Sequence, residues 1–192
     1  MATGSRLDEL TVLADQAAAC TRCPLAATRT QVVFGAGDPD AALMIVGEAP
    51  GRDEDRDGLP FVGRSGRLLD TLLADEVGID RTQVYIANVI KCRPPDNRNP
   101  KAEEIAACRP YLDDQMALVA PTVVVTLGNF ATKLLLATDL GITAVRGTTY
   151  PLGDTLVVPT FHPAAALRGS ADVLAHMRDD FARVAQLIGR AA

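Results

Sequence analysis

The amino-acid sequence predicts an α/β fold in which helices cover both faces of a parallel sheet. Two observations support this fold class. Short apolar runs alternate with segments of helical periodicity along the chain, an order that is typical of a parallel sheet. Each of four such runs is followed by a motif of glycine, proline or polar residues: Gly47–Gly51, Asn88–Pro95, Leu127–Asn129 and Phe161–Pro163. Because open α/β sheets bind ligands outside the carboxyl ends of their strands, these motifs predict where the functional site lies.

The first half of the chain predicts two helices and two strands. A helix is expected over Ser5–Ala19, where leucine and alanine recur at helical spacing. The run Ala41–Val46 is apolar without alternation, as in a strand that is buried on both faces. Ser65–Val77 carries leucines on one helical face, and Gln83–Ile90 is the second predicted strand. A helix between two strands is the unit from which parallel sheets are built.

The second half repeats this alternation. A helix is expected from Asn99 to Val119, with Pro100 at its start, where proline is favoured. No repeat, low-complexity tract or linker interrupts the series, so residues 1–192 are expected to form a single domain. The remaining elements are strands over Pro121–Thr126 and Leu156–Thr160 and helices over Phe130–Ala137 and Ala171–Ile188.

Composition limits the class of protein. Of the 192 residues, 48% are hydrophobic and 22% are charged, which is ordinary for a globular protein. The apolar runs are far shorter than the roughly 18 residues that a membrane span needs, and Met1–Leu7 lacks the apolar core of a signal peptide. We therefore expect a cytoplasmic protein with no membrane partner. No apolar stripe demands a second copy, so we also expect a monomer.

Basic residues are concentrated in or beside the first two motifs, although the net charge of the chain is −5. A local basic rim on an acidic body can hold a phosphate backbone, because the contact depends on charges within about 10 Å. Charges in solvated loops would give the same pattern. The residues concerned are Arg52, Arg56, Arg64, Arg67, Lys91, Arg93, Arg98 and Lys101.

The four cysteines are candidate metal ligands, since thiols stay reduced in the cytoplasm. Cys20 and Cys23 form a Cys-x-x-Cys pair, whereas Cys92 and Cys108 are much further apart in the sequence. A thiolate quartet suits zinc or an iron–sulfur cluster. Zinc ribbons usually bring together two short pairs, so the spacing favours iron and sulfur. The alternative is that Cys92 and Cys108 are buried apolar thiols.

The motifs, taken together and in their order, resemble those of the family 4 uracil-DNA glycosylases. This resemblance runs from about Cys20 to the closing helix, and it includes all four cysteine positions. It implies a three-layer α/β/α sandwich around a four-stranded parallel sheet. It also implies a DNA-repair enzyme that flips uracil out of DNA and hydrolyses its N-glycosidic bond, leaving an abasic site. The matching segments are Gly47–Gly51, Gly58–Gly66, Asn88–Pro95, Asn97–Pro100 and His162–Ala164.

The resemblance assigns roles in base recognition. Phe61 supplies a stacking face for the flipped base, and Asn88 pairs with O4 and N3–H of uracil, because an amide both donates and accepts. His162 donates a hydrogen bond to the charge that develops on uracil O2. Gly47 and Ala49 bind the substrate from a loop whose backbone N–H groups can assist. Cytosine presents a donor where uracil presents an acceptor, so it would leave the amide unpaired.

Each of these residues also has a structural alternative. Asn88 could cap a strand end, and a histidine before proline, such as His162, is often structural. Phe61 could be a core aromatic, but its neighbours Pro60 and Gly63 indicate a turn. We expect the functional roles, because the residues lie at the predicted carboxyl edge of the sheet.

The residue that positions the water nucleophile is left open by the sequence. Relatives in other glycosylase families have an aspartate where Ala49 stands here. Glu48, Glu54 and Asn97 are the candidates to position or polarise the water. Glu48 could instead shape the pocket beside uracil C5, and Glu54 could be one of several solvated acids in its segment.

The resemblance also bears on how DNA is held. Gly51 stands where some relatives have a tyrosine that excludes thymine. Ala166 stands where relatives insert a bulky apolar side chain into the base stack, and Leu167 or Arg168 could substitute. The expected substrate is uracil-containing DNA, single- or double-stranded, with slower excision from duplexes.

By the same resemblance, a 4Fe–4S cluster is expected on Cys20, Cys23, Cys92 and Cys108. Two of these cysteines bracket the loop Arg93–Lys101 in the sequence. We hypothesise a structural cluster that orders this loop against the domain and takes no redox step in catalysis.

Three alternatives complete the sequence-based hypotheses. A relative that bonds covalently to the abasic sugar carries an inserted histidine, and Lys91–Lys101 contains neither histidine nor insertion. A binding module without activity would have lost Asn88 or His162, and both are present. A zinc or iron–sulfur interaction protein would leave the strand-end motifs unexplained, although fold resemblance alone does not exclude it.

Overall fold

A computed structural model describes residues 5–169 and 171–189, and these contain one mixed sheet of six strands. The four inner strands are parallel and the two edge strands are antiparallel. The α/β class is confirmed, but the four-stranded, all-parallel sheet is wrong at its edges. In sheet order the strands are β1 (Ala36–Gly37), β3 (Tyr85–Asn88), β2 (Leu43–Gly47), β4 (Val123–Leu127), β6 (Thr155–Thr160) and β5 (Tyr150–Leu152).

Helices pack on both faces of this sheet, as predicted. One face is covered through Leu10 and Leu112, and the other through Leu69 and Phe181, all of which are buried. None of the helices within residues 5–169 and 171–189 has the length and apolar character needed to cross a bilayer. The helices are α1 (Arg6–Ala18), α2 (Arg52–Asp57), α3 (Arg64–Leu72), α4 (Ala102–Val119), α5 (Asn129–Leu136), α6 (Ile142–Val145), α7 (Pro163–Ala166) and α8 (Ala171–Ile188).

Two of the predicted helices differ from the structure, and the short helices α2, α6 and α7 were not predicted. The helix expected from Asn99 begins at Ala102, because the Glu104 carboxylate accepts the Lys101 N–H at 2.8 Å and ends the preceding loop there. The predicted helix Ser65–Val77 is α3 followed by one wider turn of π-helix. Helix α2 was not predicted, since its sequence is entirely charged and shows no apolar periodicity.

The four motifs lie at the carboxyl ends of the four parallel strands, as predicted. Gly47, the last residue of β2, is directly opposite Asn88, the last residue of β3. On the other side, Leu127 of β4 is opposite Thr160 of β6. The motifs therefore share one edge of the sheet, where ligands bind in open α/β folds. That residues 1–192 form a single domain stays a prediction, and Met1–Gly4 lies outside the described residues.

A buried carboxylate supports the end of β6. Asp180 of α8 is 1% exposed and accepts a hydrogen bond of 2.7 Å from the Thr160 hydroxyl. The Arg146 guanidinium donates to both oxygens of the same carboxylate, at 2.6 and 3.0 Å. Because both partners are satisfied, this charge is tolerated in the core. It fixes α8 beneath the strand that leads to His162.

Replacing Asp180 should therefore destabilise the fold. Asp180→Ala leaves the Arg146 guanidinium without its carboxylate, and breaking a buried pair in this way costs about 3–5 kcal/mol. Asp179→Ala is the matched control, since Asp179 is exposed on the same helix. Chemical denaturation should show a large loss of unfolding free energy for the first variant and a small change for the second. Equal values for the two would contradict this account.

Candidate active site

Gly47 is the point at which three parts of the site meet. An ideal Cβ at this position would lie 2.4 Å from Asn88 Oδ1 and 2.6 Å from Phe61 Cζ. Both distances are shorter than real contacts, so only glycine allows Asn88 and Phe61 to approach β2 this closely. The structure thus brings together three residues to which the family resemblance assigns base binding.

Asn88 presents an unused acceptor at this point. The residue is 2% exposed, and its Oδ1 is the one buried side-chain oxygen or nitrogen of the described residues that lacks a hydrogen-bond partner. A buried polar atom without a partner costs roughly 1–3 kcal/mol. The amide of Asn88 is therefore suited to accept a hydrogen bond from a bound ligand.

Phe61 has a backbone conformation that is uncommon for a large side chain. Its φ is 54°, in the left-handed region, which costs about 1–2 kcal/mol for an L-residue. Its side chain is 5% exposed and belongs to the core on one face of the sheet. The expectation that Phe61 is a poor core candidate is therefore wrong, because the left-handed turn directs the ring back over Gly47. The ring centroid is 5.9 Å from that of His162.

His162 has one nitrogen engaged and one available. Its Nδ1 accepts a hydrogen bond of 3.1 Å from the Ala164 N–H. Burial lowers the pKa of His162 to about 4, and the positive charge of Arg168 lowers it further, whereas Glu54 opposes the change. Since the imidazole is neutral above that pH and Nδ1 is an acceptor, the single proton resides on Nε2. His162 can therefore donate a hydrogen bond from Nε2.

Glu54 is placed by the structure in a supporting position. One of its oxygens accepts the N–H groups of Val62 and Gly63, both at 3.0 Å. The other accepts the Gly51 N–H at 3.1 Å. The carboxylate therefore joins the start of α2 to the turn that follows Phe61. This corrects the view of Glu54 as one of several solvated acids.

The other two water-positioning candidates are in different surroundings. Glu48 is half-buried, burial raises its pKa, and its carboxylate has no hydrogen-bond partner among the described residues. Asn97 lies on an exposed turn, with φ of 52°, and its Oδ1 accepts from Arg93 Nε at 2.7 Å. Ala49 is partly buried beside Glu48. Of the candidates, Glu48 alone has a carboxylate that is partly buried and unengaged.

The four cysteine thiols are free and line one pocket. Within residues 5–169 and 171–189, no three His, Cys, Asp or Glu side chains lie close enough to hold a single metal ion. A tetrahedral zinc site needs four ligands about 2.0–2.3 Å from one centre. The pocket brings the thiols of all four cysteines to one place in the fold. The residues are Cys20, Cys23, Cys92 and Cys108.

Positive and N–H donor groups surround this pocket. Arg29 Nη1 donates to Cys92 Sγ at 3.4 Å, and the Lys91 N–H donates to Cys108 Sγ at 3.2 Å. Burial raises the pKa of the Cys92 thiol to about 11, and Arg29 opposes this rise. Hydrogen bonds to sulfur stabilise thiolates that carry negative charge. The donor set therefore fits an anionic group held by cysteine.

Two of the predicted basic-rim residues are paired within the protein, and one of them, Lys91, is buried. The Lys91 side chain is 1% exposed, and its Nζ donates to the Asn88 carbonyl at 2.8 Å and to Gln115. Arg98 forms a two-bond pair with the buried Glu104, at 2.6 and 2.9 Å. Sequence alone did not reveal these partners, because they are contributed by α4. Lys91 thus supports Asn88 from beneath the strand end.

The state of His162 can be measured directly. Its folded pKa lies below its ordinary value, so neutral His162 contributes stability above about pH 6.5 that is lost as the pH falls toward about 4. A proton NMR titration of the two histidines should show one that stays neutral at pH 5.5, and His176→Asn assigns the other signal. A midpoint for His162 near 6.5 would contradict the buried, neutral imidazole.

Comparisons with known proteins agree with this geometry. The family model described as "Uracil DNA glycosylase superfamily" matches residues 34–186. The chain is 42% identical to a Type-4 uracil-DNA glycosylase of Sulfurisphaera tokodaii, over 94% of this chain and 86% of the relative. It is 46% identical to one of Thermotoga maritima, over 88% and 89%, and 41% identical to one of Archaeoglobus fulgidus, over 89% of each chain. The chain therefore belongs to the uracil DNA glycosylase superfamily.

Proposed function

We propose that this protein excises uracil from DNA with a pocket formed by Gly47, Phe61, Asn88 and His162. A base inside a duplex is out of reach, so the nucleotide must be flipped at a cost of a few kcal/mol. The flipped base stacks on Phe61, and Asn88 accepts N3–H through Oδ1 and donates to O4. Cytosine has an amino group in place of O4. The amide N–H of Asn88 would then face another donor, so cytosine would be rejected.

His162 stabilises the leaving group. Cleavage of the glycosidic bond leaves negative charge on uracil and positive character on the sugar. The Nε2–H of neutral His162 donates to O2 of the departing base, which favours the charged transition state. A neutral donor also keeps its proton, so the base leaves as an anion and takes up a proton afterwards.

We assign to Glu48 the role of positioning or polarising the attacking water. Its carboxylate has no protein partner and its raised pKa makes it a better proton acceptor than an exposed glutamate. Glu54 acts on the turn after Phe61, through the three N–H groups that it binds. Asn97, held by Arg93 on an exposed turn, is better placed for DNA than for the water.

The single observation that carries this proposal is the buried, unpaired Oδ1 of Asn88 next to Phe61. A protein that merely used Asn88 to cap a strand would have bonded this atom. The covalent relative remains disfavoured, since the described loop after Asn88 contains no histidine. An interaction protein with structural motifs gives no reason for a costly open acceptor.

The test is a gel assay on a labelled oligonucleotide with one uracil, followed by alkali. Wild type should cut at that position. Asn88→Ala should lose at least about 100-fold in rate, the loss expected when one buried polar contact to substrate and its positioning are removed. Asn129→Ala is a matched control, because Asn129 also follows a strand end but bonds the Ile142 N–H. Equal cutting by all three proteins would refute the role of Asn88.

The same assay can compare the rates of uracil excision from single-stranded and from duplex DNA. Ala166 is packed against the core, whereas Leu167 is 38% exposed at the end of α7. We propose that Leu167 is the apolar side chain available to replace a flipped base, and that excision from single strands is faster. Equal rates on a single strand and on a matched duplex would remove this argument.

The cysteines would hold an iron–sulfur cluster of the 4Fe–4S type. Four thiols that line one pocket, with N–H and cationic donors to sulfur, support this assignment. When bound, the cluster supplies cross-links among three segments of the chain. Cys92 then fixes the strand end that carries Asn88, and Cys108 fixes α4. Catalysis needs no redox step from it.

Replacing one of the cysteine ligands should reveal the structural role of the cluster. Cys92→Ser should lose iron and acid-labile sulfide, speed proteolysis of the loop at 93–101 and slow uracil excision. Ala107→Ser is the control, since Ala107 lines the same pocket without a thiol. A Cys92→Ser protein that lacks iron and yet excises uracil at the wild-type rate would contradict the structural role.

A cytoplasmic location and a monomeric state complete the proposal. Reduced thiols are needed to hold iron and sulfide, and a reducing compartment maintains them. Light scattering of the purified protein would test the monomer, and a dimer at working concentrations would refute it.

A further inference from the structure

Arg81 lies outside the motifs at the strand ends, but its side chain contacts the backbone of Phe61. Its Nη2 donates to the Phe61 carbonyl at 2.7 Å, and its Nε donates to Asp70 Oδ1 at 2.9 Å. Asp70 belongs to α3, and Arg81 begins the turn that leads into β3. The guanidinium therefore bridges a helix, a strand entry and the turn that bears Phe61.

The carbonyl of Phe61 is confined from a second side. An ideal Cβ on Gly66 would lie 1.7 Å from this oxygen, so the carbonyl rests directly on the backbone of α3. On the following residues, Glu54 binds the N–H groups of Val62 and Gly63. The peptide after Phe61 is thus held at both its carbonyl and its amide ends.

These contacts explain how Phe61 keeps a left-handed backbone. Such a conformation persists in a non-glycine residue only when its surroundings fix it. Without Arg81 the carbonyl would lose its donor, and the turn could relax to an ordinary conformation. The ring would then move away from Gly47 and His162, which it now adjoins.

We propose that Arg81, oriented by Asp70, is a positioning residue that holds Phe61 in place to stack on the flipped uracil. The inference rests on the proposed function, since stacking matters only if a base enters the pocket. Arg81 touches neither DNA nor base in this role. It acts on the base through the carbonyl of Phe61.

Arg81→Met should slow single-turnover excision by about tenfold and weaken inhibition by free uracil by a similar factor, the range of one base–aromatic stacking contact. Affinity for DNA that contains an abasic site should stay unchanged. Arg81→Lys should recover part of both losses, because an ammonium can still donate to the carbonyl. Asp70→Asn should add nothing to Arg81→Met, since Asp70 acts through Arg81.

Arg178→Met is the matched control. Arg178 of α8 forms ion pairs with Glu76 and, at 3.4 Å, with Asp75, and its side chain is 42% exposed against 34% for Arg81. It forms no hydrogen bond to Phe61. The control should excise uracil and be inhibited by uracil as wild type is. An equal loss in Arg178→Met would overturn the proposal, because it would reveal general destabilisation. A loss in Arg81→Met that matches a loss of DNA affinity would also overturn it.

A crystal structure of Arg81→Met separates this inference from the proposed function. The positioning role requires that the backbone of Phe61 or its ring shift in the variant. An unchanged Phe61 would overturn the inference even if wild type excises uracil. A wild-type protein that leaves uracil-containing DNA uncut would refute the proposed function, and the structure of the variant would still decide whether Arg81 positions Phe61.

Discussion

The close contact across Gly47 is the constraint on which the rest of the site depends. The parallel register of β2 and β3 sets Gly47 opposite Asn88, and the missing side chain lets Asn88 Oδ1 and the Phe61 ring share the space above it. His162 reaches the same region from β6. A flat base needs a polar group for its edge and an apolar ring for its face, and this arrangement places both next to Gly47.

Buried and partly buried polar groups hold the strand ends and the turn after Phe61. Lys91 supports β3 through the Asn88 carbonyl, Asp180 supports β6 through Thr160, and Glu54 supports the turn after Phe61. Asp55, next to Glu54, accepts both the N–H and the hydroxyl of Thr30, at 2.9 and 2.8 Å. These groups are all satisfied by the protein, whereas Asn88 Oδ1 is left for a ligand.

Hydrogen bonds of Lys91 and Arg29 also connect the cysteine pocket to the surroundings of the base pocket. Lys91 donates through its backbone to Cys108 Sγ and through its side chain to the Asn88 carbonyl. Arg29 donates to Cys92 Sγ, and the next residue, Thr30, binds Asp55 of α2. Direct hydrogen bonds therefore join residues that contact the cysteines to Asn88 and to α2.

The sequence predicted the inner strands and the motifs at their ends, because buried parallel strands are continuous apolar runs and turn-forming residues mark where they stop. It missed β1 and β5, which are too short to form such a run, and α2, which has no apolar face.

The partners of charged residues were the least predictable part of the site. From the sequence, Lys91 and Arg98 were predicted to belong to a basic rim, and Glu54 could be a solvated acid. Each bonds to residues that the fold brings near, from Gln115 and Glu104 on α4 to Val62 and Gly63 on the turn after Phe61. No local pattern encodes such contacts, since they depend on how helices pack on the sheet.

The most direct measurement is the single-turnover rate of uracil excision by Gly47→Ala. The added methyl group should push Asn88 and Phe61 apart, and a misplacement of about 1 Å can cost about 100-fold in rate. Gly141→Ala is the control, because the nearest atom to its Cβ would be 3.9 Å away. Our account predicts a loss of this size in Gly47→Ala alone, with both variants folded by circular dichroism. A Gly47→Ala protein that excises uracil at the wild-type rate would contradict the account.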